Sequence, residues 1–257
     1  MTLRDPVVIV GIGELGSLFA GGFLRLGHPV VPVLRGTSMS DVGRRAAEPA
    51  LVLVAVGETD LDPALSALPP MYRDRVALLQ NELLPGDWQR HAIDDPTVVV
   101  VWFEKKPKRP VTSLLPSAVF GPGAELVESA LERVGLPTRR LASREALLLE
   151  LVRKNLYILT INLAGLRTGG TVRDLRERHP QLLEQVTDEV LALQQALVGV
   201  ELPKDRLLED LAAAFDADPD HVATGRSAPQ RLARALGHAR RLGLSLPVLE
   251  GLASDSP

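Results

Sequence analysis

The chain contains no cysteine. That absence excludes disulfides, thiolate nucleophiles, iron–sulfur ligation and cysteine-based zinc sites, and it fits a reducing compartment. Aromatic residues make up only 4% of the chain and lie scattered, so no surface for stacking nucleic-acid bases is offered. Neither sign of charge dominates. The 29 Lys+Arg against 32 Asp+Glu leave a net charge of −3, which recruits neither nucleic acid nor an anionic membrane. Long hydrophobic runs are missing as well: the longest charge-free apolar stretch in mid-chain, residues 155–166, is too short to span a bilayer. Asp5 and Pro6 sit where a signal peptide needs basic and then apolar residues. The five histidines show no metal-ligand spacing, and no serine sits in a G-x-S-x-G elbow. These absences predict a soluble cytosolic protein without a metal, a nucleic-acid partner or a membrane partner.

What is present suffices for a substantial core. At 257 residues and 46% hydrophobic content the chain builds one or two domains. Its first half alternates. Val7–Val10, Val30–Leu34, Leu51–Val56, Val76–Leu79 and Val98–Val101 are short apolar runs that read as strands buried on both faces of a parallel sheet. Leu15–Leu26 and Leu61–Leu68 read as the intervening helices, the second with Asp60 or Asp62 as N-cap and Pro63 in its first turn. Thr112–Leu115, Ala118–Phe120 and Thr138–Leu141 extend the strand pattern, with a helix at Ala124–Val134. Such alternation predicts an α/β, doubly wound, Rossmann-type domain. After Ser143, a plausible helix cap, only helices follow: Arg144–Arg167, Gln181–Val198, Asp205–Phe215 and Pro229–Leu242. The expected division is a Rossmann domain over residues 1–142, an all-helical domain over 143–252 and a frayed tail over 253–257.

Gly11-Ile12-Gly13-Glu14-Leu15-Gly16 is a G-x-G-x-x-G that follows the first strand and opens the first helix. One glycine makes the tight turn, one lets a pyrophosphate approach the backbone, and one permits close helix–strand packing. The helix start adds free N–H groups and a positive dipole end. A ligand-free glycine turn is the competing reading. The end of the second strand chooses the cofactor. An NAD site takes an acid there for the ribose 2′-hydroxyl, but this strand ends in Arg35-Gly36-Thr37-Ser38 and no carboxylate follows until Asp41. Arg35 suits a 2′-phosphate, with Thr37 and Ser38 as hydroxyl donors, so the reading is NADP(H). A solvated surface arginine fits the same residues.

Lysine is scarce and its placement informative. Three of the five, Lys105, Lys106 and Lys108, fall in one run after the fifth strand, reading as a solvated hairpin that leaves contact with an anionic substrate open. Lys154 alone sits inside the long apolar helix. At about 100° per residue, Lys154, Asn155 and Asn162 share one arc, which suggests a polar cleft. A snorkelling lysine paired with Glu150, one turn earlier, fits equally.

GIGELG, Arg35, Gln80-Asn81 after the fourth strand, and Arg153-Lys154-Asn155-Leu156 followed by Asn162 together resemble the ketopantoate reductase family. The resemblance implies an N-terminal Rossmann domain and a helical C-terminal domain like that of 6-phosphogluconate dehydrogenase. It implies NADPH as cofactor, Lys154 as the catalytic residue, Asn162 as a substrate ligand and Asn81 beside the nicotinamide. Departures accompany it. Ile158 stands where the family has a second asparagine, and Gly57 where it often has a lysine for the cofactor phosphate. Glu82 replaces the glycine after Gln80-Asn81, and Trp102–Lys106 replaces a small Gly/Thr-rich segment. The family's C-terminal glutamate falls near Ser227.

The expectation is therefore an NADPH-dependent reductase of a small 2-oxo acid or related carbonyl, monomeric or homodimeric. Lys154 would be catalytic; Asn162, Asn155 and Ser227 would bind substrate; Gly11, Ile12, Gly13, Glu14, Leu15, Gly16, Arg35 and Asn81 would bind cofactor. The alternatives are an NADP(H)-binding protein that lost turnover and an imine reductase of a related two-domain family.

Overall fold

Five runs in the first half are almost wholly apolar, and those in the middle of the sheet are covered on both faces, while Pro32 of the edge run is exposed. In the computed structural model, which describes residues 4–254, they form strands β1 (Val7–Val10), β2 (Val30–Val33), β3 (Leu51–Val54), β4 (Val76–Leu78) and β5 (Thr97–Val100). Every residue of β3, β4 and β5 is buried, as a parallel sheet covered by helices requires. With β8 (Ser117–Phe120) and β9 (Thr138–Arg140) they make a seven-stranded sheet in the order β2-β1-β3-β4-β5-β8-β9. All neighbours are parallel except β5 and β8. The order reverses at β1, which has β2 on one side and β3 on the other. A doubly wound sheet opens its ligand crevice at such a reversal, beyond the carboxyl ends of the strands.

The connecting helices are α1 (Glu14–Arg25), α2 (Met39–Arg45), α3 (Leu61–Ser66), α4 (Pro85–Gln89) and α5 (Ala124–Glu132). Phe19 and Phe23 of α1 are fully buried in the core formed with β1, β3 and α5. Thr112–Ser113 is a strand, β7, but not one of the main sheet: it pairs antiparallel with β6 (Phe103–Glu104) in a two-stranded hairpin. That hairpin carries the lysine run between its strands.

The remaining helices are α6 (Arg144–Thr168), α7 (Val172–Arg178), α8 (Pro180–Val198), α9 (Lys204–Ala217), α10 (Ala228–Leu242) and α11 (Pro247–Ser254). Ser143 caps α6, its hydroxyl accepting the Ala146 N–H at 3.2 Å. The chain divides into two compact units between Leu151 and Val152, nine residues past the point that the pattern change suggests. The first two turns of α6 belong with the sheet for a specific reason. Glu150 is only 6% exposed, and its carboxylate accepts Trp102 Nε1–H at 2.8 Å and the Arg139 guanidinium at 2.9 Å. Arg144 bonds Asp95 at 2.9 Å. The acid that spacing offers to Lys154 thus ties α6 to the ends of β5 and β9.

The second unit has its own anchoring. Thr171 opens α7 with a capping box, and its N–H and hydroxyl hold the Asp174 carboxyl below the usual carboxylate range. Segment 218–223 folds back on this start: Val172 N–H reaches the His221 carbonyl at 2.9 Å, and Ala223 N–H reaches Gly170 O at 3.0 Å. Ala253 and Ser254, expected to fray, belong to α11, whose Leu249 and Leu252 are buried. The rest of that tail, 255–257, lies outside the described residues. Among the described residues no helix is long and apolar enough to cross a membrane, and no group of His, Cys, Asp or Glu converges as metal ligands would.

Candidate functional site

The three glycines after β1 do three different things. Gly11 has φ +92°, and a Cβ there would lie 2.8 Å from the Ala55 carbonyl oxygen at the end of β3, so no side chain fits the turn. A Cβ on Gly16 would lie 2.0 Å from Gly11 O; its absence lets the first turn of α1 sit directly on the loop. Around Gly13 the space is open, with no heavy atom within 4 Å of a Cβ position. Gly13 also begins α1 in an extended conformation and places no side-chain cap over it. The first-turn amides therefore lack intrahelical partners and lie at the positive end of the helix dipole. A pyrophosphate fits this cradle: backbone donors, room at Gly13, and no side chain in the way. Ile12 and Leu15 pack against the sheet core and hold the cradle's underside, while Glu14 is exposed at its rim.

The carboxyl ends of the neighbouring strands supply the other groups. The Arg35 side chain is 97% exposed beyond β2, with its guanidinium 3.6 Å from the Asp60 carboxylate. Thr37 closes the turn there, its hydroxyl oxygen accepting Leu34 N–H at 3.0 Å, which leaves the O–H to donate. Ser38 shares a hydrogen bond with Ser40. At the end of β4, Asn81 is half-buried and its amide donates to Glu58 Oε1 at 3.2 Å. Spacing gave no sign of what positions it. Buried Gln80 donates to the Val54 and Val56 carbonyls at 2.7 and 3.2 Å, locking the end of β4 onto the loop after β3. Glu82, where a glycine was expected, adopts φ +62°.

In the second unit Lys154 is half-buried on α6, its ammonium 5.7 Å from the centre of the Tyr157 ring. Tyr157 is itself 1% exposed and packs against Phe215 and His221. An aromatic face at this distance attracts the ammonium. The two asparagines expected to share an open polar stripe with Lys154 are instead buried in helix contacts. Asn155 donates to Gln194 of α8 at 3.1 Å. Asn162 donates to the Ala223 carbonyl at 3.3 Å and accepts from Arg231 of α10. Gly165 completes this contact, since a Cβ there would meet Ala223 at 2.7 Å. Helical periodicity puts the three polar groups on one arc but does not say what lies opposite them. Arg231 is only 7% exposed, and nothing in the sequence sets it apart, because its helix has an ordinary amphipathic pattern. Ser227 is exposed at the start of α10 and makes no side-chain cap. Ile158, one turn after Lys154, is half-buried.

No protein-family model matches the chain, and no curated protein matches it. Solved structures do. A PanE/ApbA family ketopantoate reductase from Ralstonia eutropha JMP134 matches with a TM-score of 0.68 at 19% identity, over 97% of this chain and 96% of that one. The 2-dehydropantoate 2-reductase of Methylococcus capsulatus matches with a TM-score of 0.68 at 15% identity, over 97% and 94%. D-mandelate dehydrogenase in complex with NADH matches with a TM-score of 0.64 at 13% identity, over 97% and 96%. The likeness is one of fold.

Proposed function

We propose that this chain, which has the α/β-plus-helical fold of the ketopantoate reductases, is an NADPH-dependent reductase of a small 2-oxo acid or related carbonyl compound. The glycine turn carries the reading: open only at Gly13, and placed where the strand order reverses. The first-turn amides of α1 hold the pyrophosphate. Arg35, with Thr37, would hold the 2′-phosphate, and Asn81 would hold the nicotinamide end. When bound, the cofactor supplies a hydride from nicotinamide C4 to the carbonyl carbon. Lys154 donates a proton from Nζ to the carbonyl oxygen as it becomes an alkoxide, and the Tyr157 ring attracts the ammonium. Asn155 and Asn162 act one step back, holding α6 in register against α8 and α10. Ser227, exposed at the start of α10, is the remaining side chain read as a substrate contact. The chain acts as a monomer or homodimer.

The cofactor assignment is tested by calorimetric titration. NADPH should bind at least about tenfold more tightly than NADH, since one charge-assisted contact contributes roughly 1.5–3 kcal/mol. Asp60 beside Arg35 moderates that preference, and Arg35→Asp should narrow or invert it. Equal affinities for the two cofactors in the wild-type protein contradict the role of Arg35.

Substrate choice follows from Ile158. An isoleucine where an amide would donate and accept leaves a substrate hydroxyl without its partner, and such sites discriminate strongly. Ketopantoate should therefore be turned over poorly, and a more apolar 2-oxo acid better. A kcat/KM for ketopantoate within the usual range of about 10⁴–10⁸ M⁻¹s⁻¹ would show that Ile158 does not set specificity.

A further inference from the structure

We propose that Lys105 is a pyrophosphate-holding residue of the dinucleotide site, delivered by the β6–β7 hairpin rather than by the glycine turn or the strand ends. The inference rests on reading the Gly11–Gly16 turn as a dinucleotide site and adds a ligand to it. The need for a cation there is visible in the sequence around the turn. Glu14 places a carboxylate in the first turn of α1, beside the position of two phosphates. The helix dipole tolerates that acid, but the acid and the phosphates repel each other. Neither the segment after β1, Gly11-Ile12-Gly13, nor the segment after β3, Ala55-Val56-Gly57-Glu58, brings a positive charge.

The hairpin brings one. Lys105 Nζ lies 2.9 Å from Glu14 Oε2 and 2.9 Å from the Lys106 carbonyl. Its side chain is 22% exposed, unlike the solvated run that the sequence suggests, and Lys106 at 50% turns instead to Glu104. The backbone that carries Lys105 is fixed relative to α1. Phe103, two residues earlier, is buried with its ring 6.5 Å from that of Phe19. Leu114 N–H donates to the Trp102 carbonyl at 2.8 Å and closes the base of the hairpin. An ammonium has three donors; Glu14 and Lys106 O engage two, leaving one to donate to a phosphate oxygen at the rim of the Gly13 opening. Lys105 thus neutralises Glu14 and adds a charge-assisted bond at once.

The test is calorimetry with four probes: NADPH, NADH, ADP-ribose and 2′-AMP. The first three carry the pyrophosphate, and the last carries only the 2′-phosphate. Lys105→Gln should weaken the three pyrophosphate probes alike, by roughly tenfold or more, as expected for one lost charge-assisted bond, and leave 2′-AMP unchanged. Lys105→Arg should retain most of the affinity, and Lys106→Gln should change nothing. Adding Glu14→Gln to Lys105→Gln should restore part of the loss, because the uncompensated carboxylate is removed. Undiminished NADH and ADP-ribose binding by folded Lys105→Gln protein overturns the role of Lys105 alone. An equal loss for 2′-AMP overturns it too, as a general charge effect. A wild-type protein that binds none of the dinucleotide probes overturns the reading of the turn and this inference together.

Discussion

Lys154→Ala should lower turnover on the order of 10²–10⁴-fold, the usual contribution of a positioned proton donor, and leave NADPH affinity nearly unchanged. The two effects separate because the glycine turn and Lys154 belong to different compact units of the chain. Lys154 is half-buried, with its ammonium 5.7 Å from the centre of the Tyr157 ring, so a proton that it gave up would be replaced from water between turnovers. Lys154→Arg is the sharper variant. It keeps the charge and the contact with the ring, but a guanidinium does not release a proton near neutral pH. If Lys154 donates the proton, the arginine variant is nearly as impaired as the alanine one while its thermal unfolding is unchanged. If the lysine only supports packing, arginine restores activity and alanine lowers the unfolding temperature with activity in proportion to the folded fraction.

The second large effect is expected at the glycine turn, where two substitutions should fail in different ways. Gly16→Val forces a side chain into the Gly11 carbonyl, 2.0 Å from the new Cβ. No rotamer relieves a backbone contact, so α1 must shift off the loop. Overpacking of this kind costs about 1–3 kcal/mol and occasionally more, and dinucleotide binding should be lost with it. Gly13→Ala meets nothing within 4 Å, and Gly13 has a φ of −82° that alanine adopts readily. Stability should barely change. The added methyl nevertheless occupies the opening where pyrophosphate approaches, so affinity for NADPH and NADH should fall by at least about tenfold, or roughly 1.4 kcal/mol. Paired unfolding curves and titrations read both outcomes. Wild-type affinity in Gly13→Ala would mean that the open side of the turn faces no ligand.

The sheet was legible because β1 to β5 are almost wholly apolar, β3 to β5 being covered on both faces, and each lies within two residues of its expected place. The long α6 was legible for the same reason, together with Ser143 at its start. Short elements were not. Helix α4 has five residues and α2 is mostly polar; neither is long enough to show a period, and their existence depends on what they pack against. Helix α7 was missed although Thr171 and Asp174 carry a readable capping box. At the site, glycine spacing conveyed nearly everything about the turn, since backbone geometry is dictated locally. Side-chain partners across the fold were another matter. Glu150 faces Trp102 and Arg139, Asn162 faces Ala223 and Arg231, and Lys105 faces Glu14, pairs separated by 11 to 91 residues in the chain. A linear pattern says which way a group points but not what meets it there.

The most direct measurement is the oxidation of NADPH by the wild-type protein, followed by the loss of nicotinamide absorbance, across a panel of 2-oxo acids with ketopantoate among them and a cyclic imine as control. The account predicts steady NADPH consumption with at least one apolar 2-oxo acid, formation of the matching 2-hydroxy acid, and a much slower rate with NADH. Tight NADPH binding with no consumption in the presence of any carbonyl compound, or consumption with the imine alone, would contradict it.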